Sequence, residues 1–249
     1  QSDRILYSNK VKEIINSEHL LTIIDSEVSE VLLSNSKSKG VKLSNGKSIH
    51  SKKVILTAGT FLNGKLFTGE EEEEGGRIGD KPSKKLADFL LSLELNSGRL
   101  KTGTPPRIKA STVNWSVTKE QPGDSPRPTM SFITTNKIHP QQMSCHITRT
   151  NSFVHKVIRN HINLSPMYNG KIKSKGPRYC PSIEDKVKRF SDRESHQIFL
   201  EPETLANEII YPNGISTALP FKVQDEFLRL IPGLERVKVN KYGYAIEYN

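Results

Sequence analysis

The sequence changes character at Arg99. Before that point apolar residues recur at spacings that suit helices and strands. From Arg99 to Pro140 proline, glycine, threonine and serine dominate, and no long period survives. A chain divided in this way predicts a mixed α/β arrangement carrying an irregular, loop-rich insert with short strands such as Ser131 to Thr134.

On the first side of the break, Tyr7, Val11, Ile14 and Ile15 fall on one helical face, and Leu20 to Ile24 read as a short buried strand. Val28 to Leu33, Val41 to Leu43 and Val54 to Leu56 read as consecutive strands, with the Asn45-Gly46 turn between the last two. The small residues Thr57-Ala58-Gly59-Thr60 allow close backbone approach to a ligand, or serve turn geometry alone. The five acids Glu70 to Glu74 predict a solvated loop. Asp80 is positioned to cap a helix whose face is Leu86, Phe89, Leu90 and Leu93, ended by Gly98.

Beyond the break, Val154, Val157, Ile158 and His161 repeat at helical spacing, which makes His161 a helix-face residue rather than a catalyst. Tyr211-Pro212-Asn213-Gly214 reads as a turn. Pro220 opens a helix that carries Val223, Phe227 and Ile231 inward, and Pro232-Gly233 closes it.

The net charge of +10 is unevenly spread: Arg99 to Phe190 holds 17 Lys and Arg against 4 Asp and Glu. Such a stretch attracts polyanions by counterion release, so nucleic acid or a phosphate-bearing cofactor is a candidate partner beside a merely soluble basic surface. No run approaches the roughly eighteen apolar residues of a membrane helix, and the first residues lack the plan of a secretory signal. These features predict a soluble intracellular protein, and the ends at Gln1 and Asn249 read as cuts in a longer chain. Two cysteines, Cys145 and Cys180, are too few for a disulfide framework. Neither lies in a C-x-x-C pair, and adjacent Cys145-His146 lacks zinc-ligand spacing.

The most informative local chemistry is Gly176-Pro177-Arg178-Tyr179-Cys180-Pro181-Ser182-Ile183-Glu184-Asp185. Ser182 and Asp185 have capping-box spacing, so a helix starts at Ser182 with Ile183, Val187 and Phe190 on one face. Cys180 then precedes a helix N-terminus with Arg178 nearby, and both favour a reactive thiolate. A small buried cysteine is the competing reading.

Together with this run, Gly75-Gly76-Arg77-Ile78-Gly79-Asp80 and Gly98 to Ile108 resemble the MnmG (GidA) family. Ser165-Pro166-Met167-Tyr168, His196 to Glu203, Tyr211 to Thr217 and Gly243 to Tyr248 extend the likeness along nearly the whole chain. The resemblance implies a FAD enzyme that modifies carbon 5 of the wobble uridine of tRNA. Its implied partners are an MnmE-type GTPase and a second copy of itself, with NADH as reductant and methylenetetrahydrofolate as carbon donor.

It further implies that Val28 and Ser83 contact FAD. The run Gly176, Pro177, Arg178, Tyr179, Cys180, Pro181, Ser182, Ile183, Glu184, Asp185, Lys186, Val187, Lys188, Arg189 and Phe190 matches the family's nicotinamide-cofactor segment, and Cys180 matches one of two cysteines assigned to the uridine chemistry. The expected organisation is an incomplete Rossmann-like flavin domain, residues 1–68 and 204–249, interrupted by a mixed α+β substrate and nicotinamide domain at 69–203. The expected location is cytoplasmic, or alternatively the mitochondrial matrix.

The family's G-x-G-x-x-G pyrophosphate loop is absent from this sequence, which predicts weak FAD binding by this chain alone. The family's other cysteine is absent as well, and the acids Glu70 to Glu74 replace a mixed polar and aromatic stretch. A non-catalytic tRNA-binding remnant and a folate- and FAD-dependent tRNA methyltransferase are the alternative functions.

Overall fold

The computed structural model describes residues 2–129, 131–134, 141–176 and 181–249. Its elements group into three antiparallel sheets with helices packed against them, so the α/β class expected from the sequence is the observed one.

Helix α1, Arg4–Ser17, is capped by Asp3, whose carboxylate accepts from the Ile5 and Leu6 N–H groups. The first sheet is β1 (Val28–Ser34), β2 (Lys37–Leu43) and β3 (Ser48–His50), in that order. The second is four-stranded, in the order β5 (Glu71–Glu74), β4 (Lys65–Thr68), β13 (Tyr244–Tyr248), β6 (Leu100–Thr104). The third has six strands, ordered β12 (Val239–Lys241), β7 (Arg107–Lys109), β11 (Ile209–Asn213), β10 (Gln197–Pro202), β9 (Cys145–Arg149), β8 (Lys119–Gln121). The second and third sheets each join strands far apart in sequence.

The main core lies where the six-stranded sheet meets α3 (Ser152–Asn160), α4 (Ile183–Arg189) and α5 (Phe221–Leu228). Ile108, Ile198, Leu200 and Ile210 come from the strands, Val154, Ile158, Ile183, Val187 and Phe227 from the helices, and all are buried. Among the described residues no helix is long and apolar enough to cross a membrane.

Several expected elements differ. Leu20 to Ile24 and Val54 to Leu56 form no strand, and Leu20 and Ile55 are 97% and 87% exposed. The strand after Asn45-Gly46 is instead Ser48–His50. Leu43 N–H bonds the Lys47 carbonyl at 2.8 Å, so the tight turn forces pairing to begin at once. The acids Glu71–Glu74 form an exposed edge strand, not a loop, with Lys65 and Lys84 offsetting Glu72 and Glu74. Asp80 bonds Arg77, and the helix begins one turn later as α2, Lys84–Ser92, after Ser83. That helix ends well before Gly98. Ser131 to Thr134 is an exposed turn. Tyr211 to Asn213 belong to β11, where Pro212 lies opposite Leu200. Phe190 ends α4 with φ −120° and so leaves its apolar face.

Candidate functional site

Helix α4 starts as its sequence requires. The Ser182 hydroxyl accepts from Asp185 N–H at 3.1 Å, and an Asp185 oxygen accepts from Ser182 N–H at 3.3 Å, closing a capping box. The same carboxylate does more than cap. It accepts from Lys101 Nζ at 3.0 Å on one oxygen and from the Tyr168 hydroxyl at 2.9 Å on the other. Burial opposes its charge, but Lys101, Tyr168 and the Ser182 N–H prevail and hold Asp185 below the usual carboxylate range. Burial, and then the bond to Asp185, push the Tyr168 phenol well above its ordinary value.

Glu184, one residue earlier, has the opposite fate. It is fully buried, and one carboxyl oxygen accepts from Ser165 Oγ at 3.2 Å, Thr217 Oγ1 at 3.0 Å and Ala218 N–H at 3.1 Å. The other oxygen has no partner among the described residues. Burial raises its pKa against the pull of those donors, favouring the neutral, proton-bearing form. Adjacent carboxyls are therefore pushed in opposite directions, Asp185 toward the charged form beside Lys101 and Glu184 toward the neutral form in the interior.

A cavity of about 10 Å³, scarcely room for one water, adjoins this network between Lys101, Met167, Ser182 and Thr217. The chain reaches the site through Lys175, whose carbonyl accepts from Lys101 N–H at 3.2 Å. Gly176 then passes close to the Lys101 side chain, where an added Cβ would lie 3.1 Å from Cε. Pro177, Arg178, Tyr179 and the candidate nucleophile Cys180 lie outside the described residues. In the rest of the run Ile183 and Val187 are core residues, Pro181 and Lys186 are half-buried, and Lys188, Arg189 and Phe190 are exposed. Lys186 donates to the Gly214 carbonyl at 2.7 Å, and Lys188 sits 4.3 Å from the Tyr168 ring centre.

Val28 and Ser83 lie elsewhere, on elements that pack together: Val28 begins β1, and Ser83 caps α2, which rests against β1. Both are half-buried, and the Ser83 hydroxyl makes no capping bond. The other cysteine, Cys145, is half-buried on β9, and burial, followed by Glu201, raises its thiol pKa, which disfavours a reactive thiolate. His161, expected on a helix face, is instead the C-cap of α3, with Nδ1 on the Val157 carbonyl.

Sequence reading assigned no roles to Lys101, Ser165, Tyr168 or Thr217. The signal was present nonetheless: they belong to three of the motifs noted for their resemblance, and those motifs converge on α4.

These features define a mixed α/β protein with a polar network at the entry to a short helix, fed by three distant segments. The model of the family described as Glucose inhibited division protein A matches residues 1–249, and the chain belongs to that family. It is similar over its whole length to the solved structure of Aquifex aeolicus GidA, with 42% identity and a TM-score of 0.92 in one crystal form, and 39% and 0.89 in a second. The chain spans 42% and 40% of those two structures' chains.

Proposed function

We propose that this chain supplies the central part of a flavin-dependent tRNA-modifying enzyme that acts on carbon 5 of the wobble uridine. The observation that carries the reading is the family match over all 249 residues, with its counterpart in a fold at TM-score 0.92. The carboxymethylaminomethyl-type product, the MnmE-type GTPase, the homodimer, NADH and methylenetetrahydrofolate follow from the likeness to that family. The cytoplasm is the proposed compartment.

The residues present fit their proposed cofactors. Val28, half-buried on β1, and Ser83, whose hydroxyl makes no capping bond to α2, offer an apolar and a polar contact to FAD. When bound, the flavin and nicotinamide supply hydride transfer, which no side chain performs. The exposed cations Lys188 and Arg189 suit a phosphate-bearing dinucleotide, while Glu184, Ile183 and Val187 secure the helix from below. Cys180 is the proposed nucleophile: its thiolate adds to carbon 6 of the uracil, which leaves carbon 5 electron-rich, and once carbon 5 is substituted that carbon loses its proton to water as the thiolate departs and the 5,6 double bond re-forms.

In this proposal residues 1–68 and 204–249 serve FAD, and 69–203 serve tRNA and the nicotinamide. Strands from these segments pair with one another, so the division concerns which ligand a segment faces rather than separable folding units.

The test is nucleoside mass spectrometry of tRNA from cells that lack the activity and are supplied with the protein or its Cys180→Ser variant. The expected result is C5-modified uridine with the protein and unmodified uridine with the variant. Unmodified tRNA in both would favour the binding remnant, and 5-methyluridine would favour the methyltransferase.

A further inference from the structure

A second region, apart from α4, carries two adjoining cavities. A cavity of about 460 Å³ opens between the N-terminus of α1, the loop carrying Arg77 and the β12–β13 turn. Four cations line it, Arg4, Arg77, Arg107 and Lys241, against the single carboxylate Glu203. Glu203 is shared, pairing with Arg4 and Arg107 at 2.9 Å each, and Arg107 is further held over the Tyr211 ring. The other two cations are more available. Arg77 spends only Nε, on Asp80, and Lys241 has no ion-pair partner among the described residues.

The wall is aromatic and rigidly placed. Tyr242 stacks on Phe221 with ring centres 4.5 Å apart and donates its hydroxyl to Asp225. Between Tyr242 and Tyr244, Gly243 is clamped by buried Gln224, which accepts from its N–H at 2.8 Å and donates to its carbonyl at 2.9 Å. Nothing larger than glycine fits there, since an added Cβ would lie 2.7 Å from the Thr104 carbonyl. The Tyr244 hydroxyl is left without a hydrogen bond among the described residues.

Beyond this wall, a neighbouring cavity of about 380 Å³ shares Ile78, Lys241, Tyr242 and Tyr244 with the first but is lined by Glu71, Glu72 and Glu73. Its carboxylates repel a second phosphate and accept hydroxyl or amino donors. The paired cavities thus have a polarity, anion at one end, aromatic wall between, donors at the other.

We propose that this cleft binds a nucleotide, its phosphate on Arg77 and Lys241, its base against Tyr244 and its donor groups toward Glu71 to Glu73. The assignment deepens the RNA-directed reading above and rests on it for the choice of ligand. A strand of RNA and a free dinucleotide share this chemistry, and the experiment separates them.

The full chain is titrated with a fluorescein-labelled uridine hexanucleotide and, separately, with NADH, using Lys241→Glu, Tyr244→Leu and, as a charge-matched control outside both cavities, Lys52→Glu. The expected result is a loss of at least fivefold in hexanucleotide affinity for the first two, a shallower salt dependence for Lys241→Glu only, and a change under twofold for the control. The same pattern with NADH alone supports the cleft and names a free dinucleotide as its source. Unchanged affinity for both probes in both variants, equal loss in the control, or no binding of either probe to the unaltered protein overturns the proposal. If the variants leave binding intact while tRNA is still modified, only the cleft fails. If they abolish binding while the protein modifies no tRNA, only the reading above fails.

Discussion

Two regions of this molecule obey the same patterning rules with opposite results. Between Ile108 and Val237, apolar residues from three strands and three helices close into one core in which Phe227, Ile158, Ile198 and Leu200 are inaccessible to solvent. In residues 2–60 only Ser29, Gly40 and Leu43 are buried, and α1 buries none of its residues. Yet α1 carries its apolar face as expected, with Tyr7 and Ile14 on it at 64% and 57% exposure. Periodicity states which face seeks cover. It does not state what covers it: α2 rests against β1, but Tyr7 and Ile14 of α1 find no such cover among the described residues.

The largest effect that follows is in the core. Phe227→Ala removes a fully buried ring packed between α5 and the sheet, and the expected cost is about 3–5 kcal/mol. Urea unfolding followed by circular dichroism checks it. A loss below about 1 kcal/mol would mean that this region is no better packed than the first, and the contrast would collapse.

The legible parts of the fold are those decided within a few residues. Helix α3, the capping box of α4 and the Pro220 start of α5 each follow from neighbours three or four positions away. The strand order β12-β7-β11-β10-β9-β8 does not, because it depends on pairings across more than a hundred residues, such as Ile108 with Val239. The site divides in the same way. Ser182 and Asp185 were readable as a local pair, whereas Lys101 reaches Asp185 from 84 positions away. Glu184 was read only as part of the nicotinamide-cofactor run that the family resemblance implies. Its burial is set by Ser165 and Thr217, which no local spacing connects to it.

Glu184 supplies the next test. Glu184→Ala strips the acceptor from three buried donors, and the expected cost is about 3 kcal/mol, whereas Glu184→Gln keeps an acceptor and is expected to cost less than about 1 kcal/mol. The pH response sharpens the comparison. Because the folded pKa is raised, the stabilisation is complete below the ordinary value of 4.5 and fades as pH rises through the folded pKa. The glutamine variant lacks that decline. Equal stabilities for alanine and glutamine, measured by thermal unfolding across pH, would show that the buried carboxyl is not what secures α4.

A smaller, pH-driven effect belongs to the same core. His155 and His196 lie with ring centres 5.1 Å apart, His155 Nε2 bonds Thr150 Oγ1 at 2.8 Å, and His196 Nε2 is buried without a partner among the described residues. Burial, then His196 and Arg159, push the His155 pKa down to about 4. The unfolded chain therefore binds more protons between pH 6.5 and 4. Stability is retained above pH 6.5 and falls as pH drops through that window. His155→Gln should flatten the decline, and a slope unchanged by that substitution would assign it to other groups.

The smallest expected effect completes the contrast from the other side. Leu20 is 97% exposed, so Leu20→Ser removes almost no buried apolar area and should change unfolding stability by less than about 0.5 kcal/mol, while it lowers self-association measured by light scattering. The two readouts carry different information. An unchanged midpoint with less association means that the apolar residues of the first region are matched to a surface outside this fold. A destabilisation comparable to that of Phe227→Ala would mean instead that Leu20 finds cover within the chain in solution, and that the first region builds its core in the same way as the second.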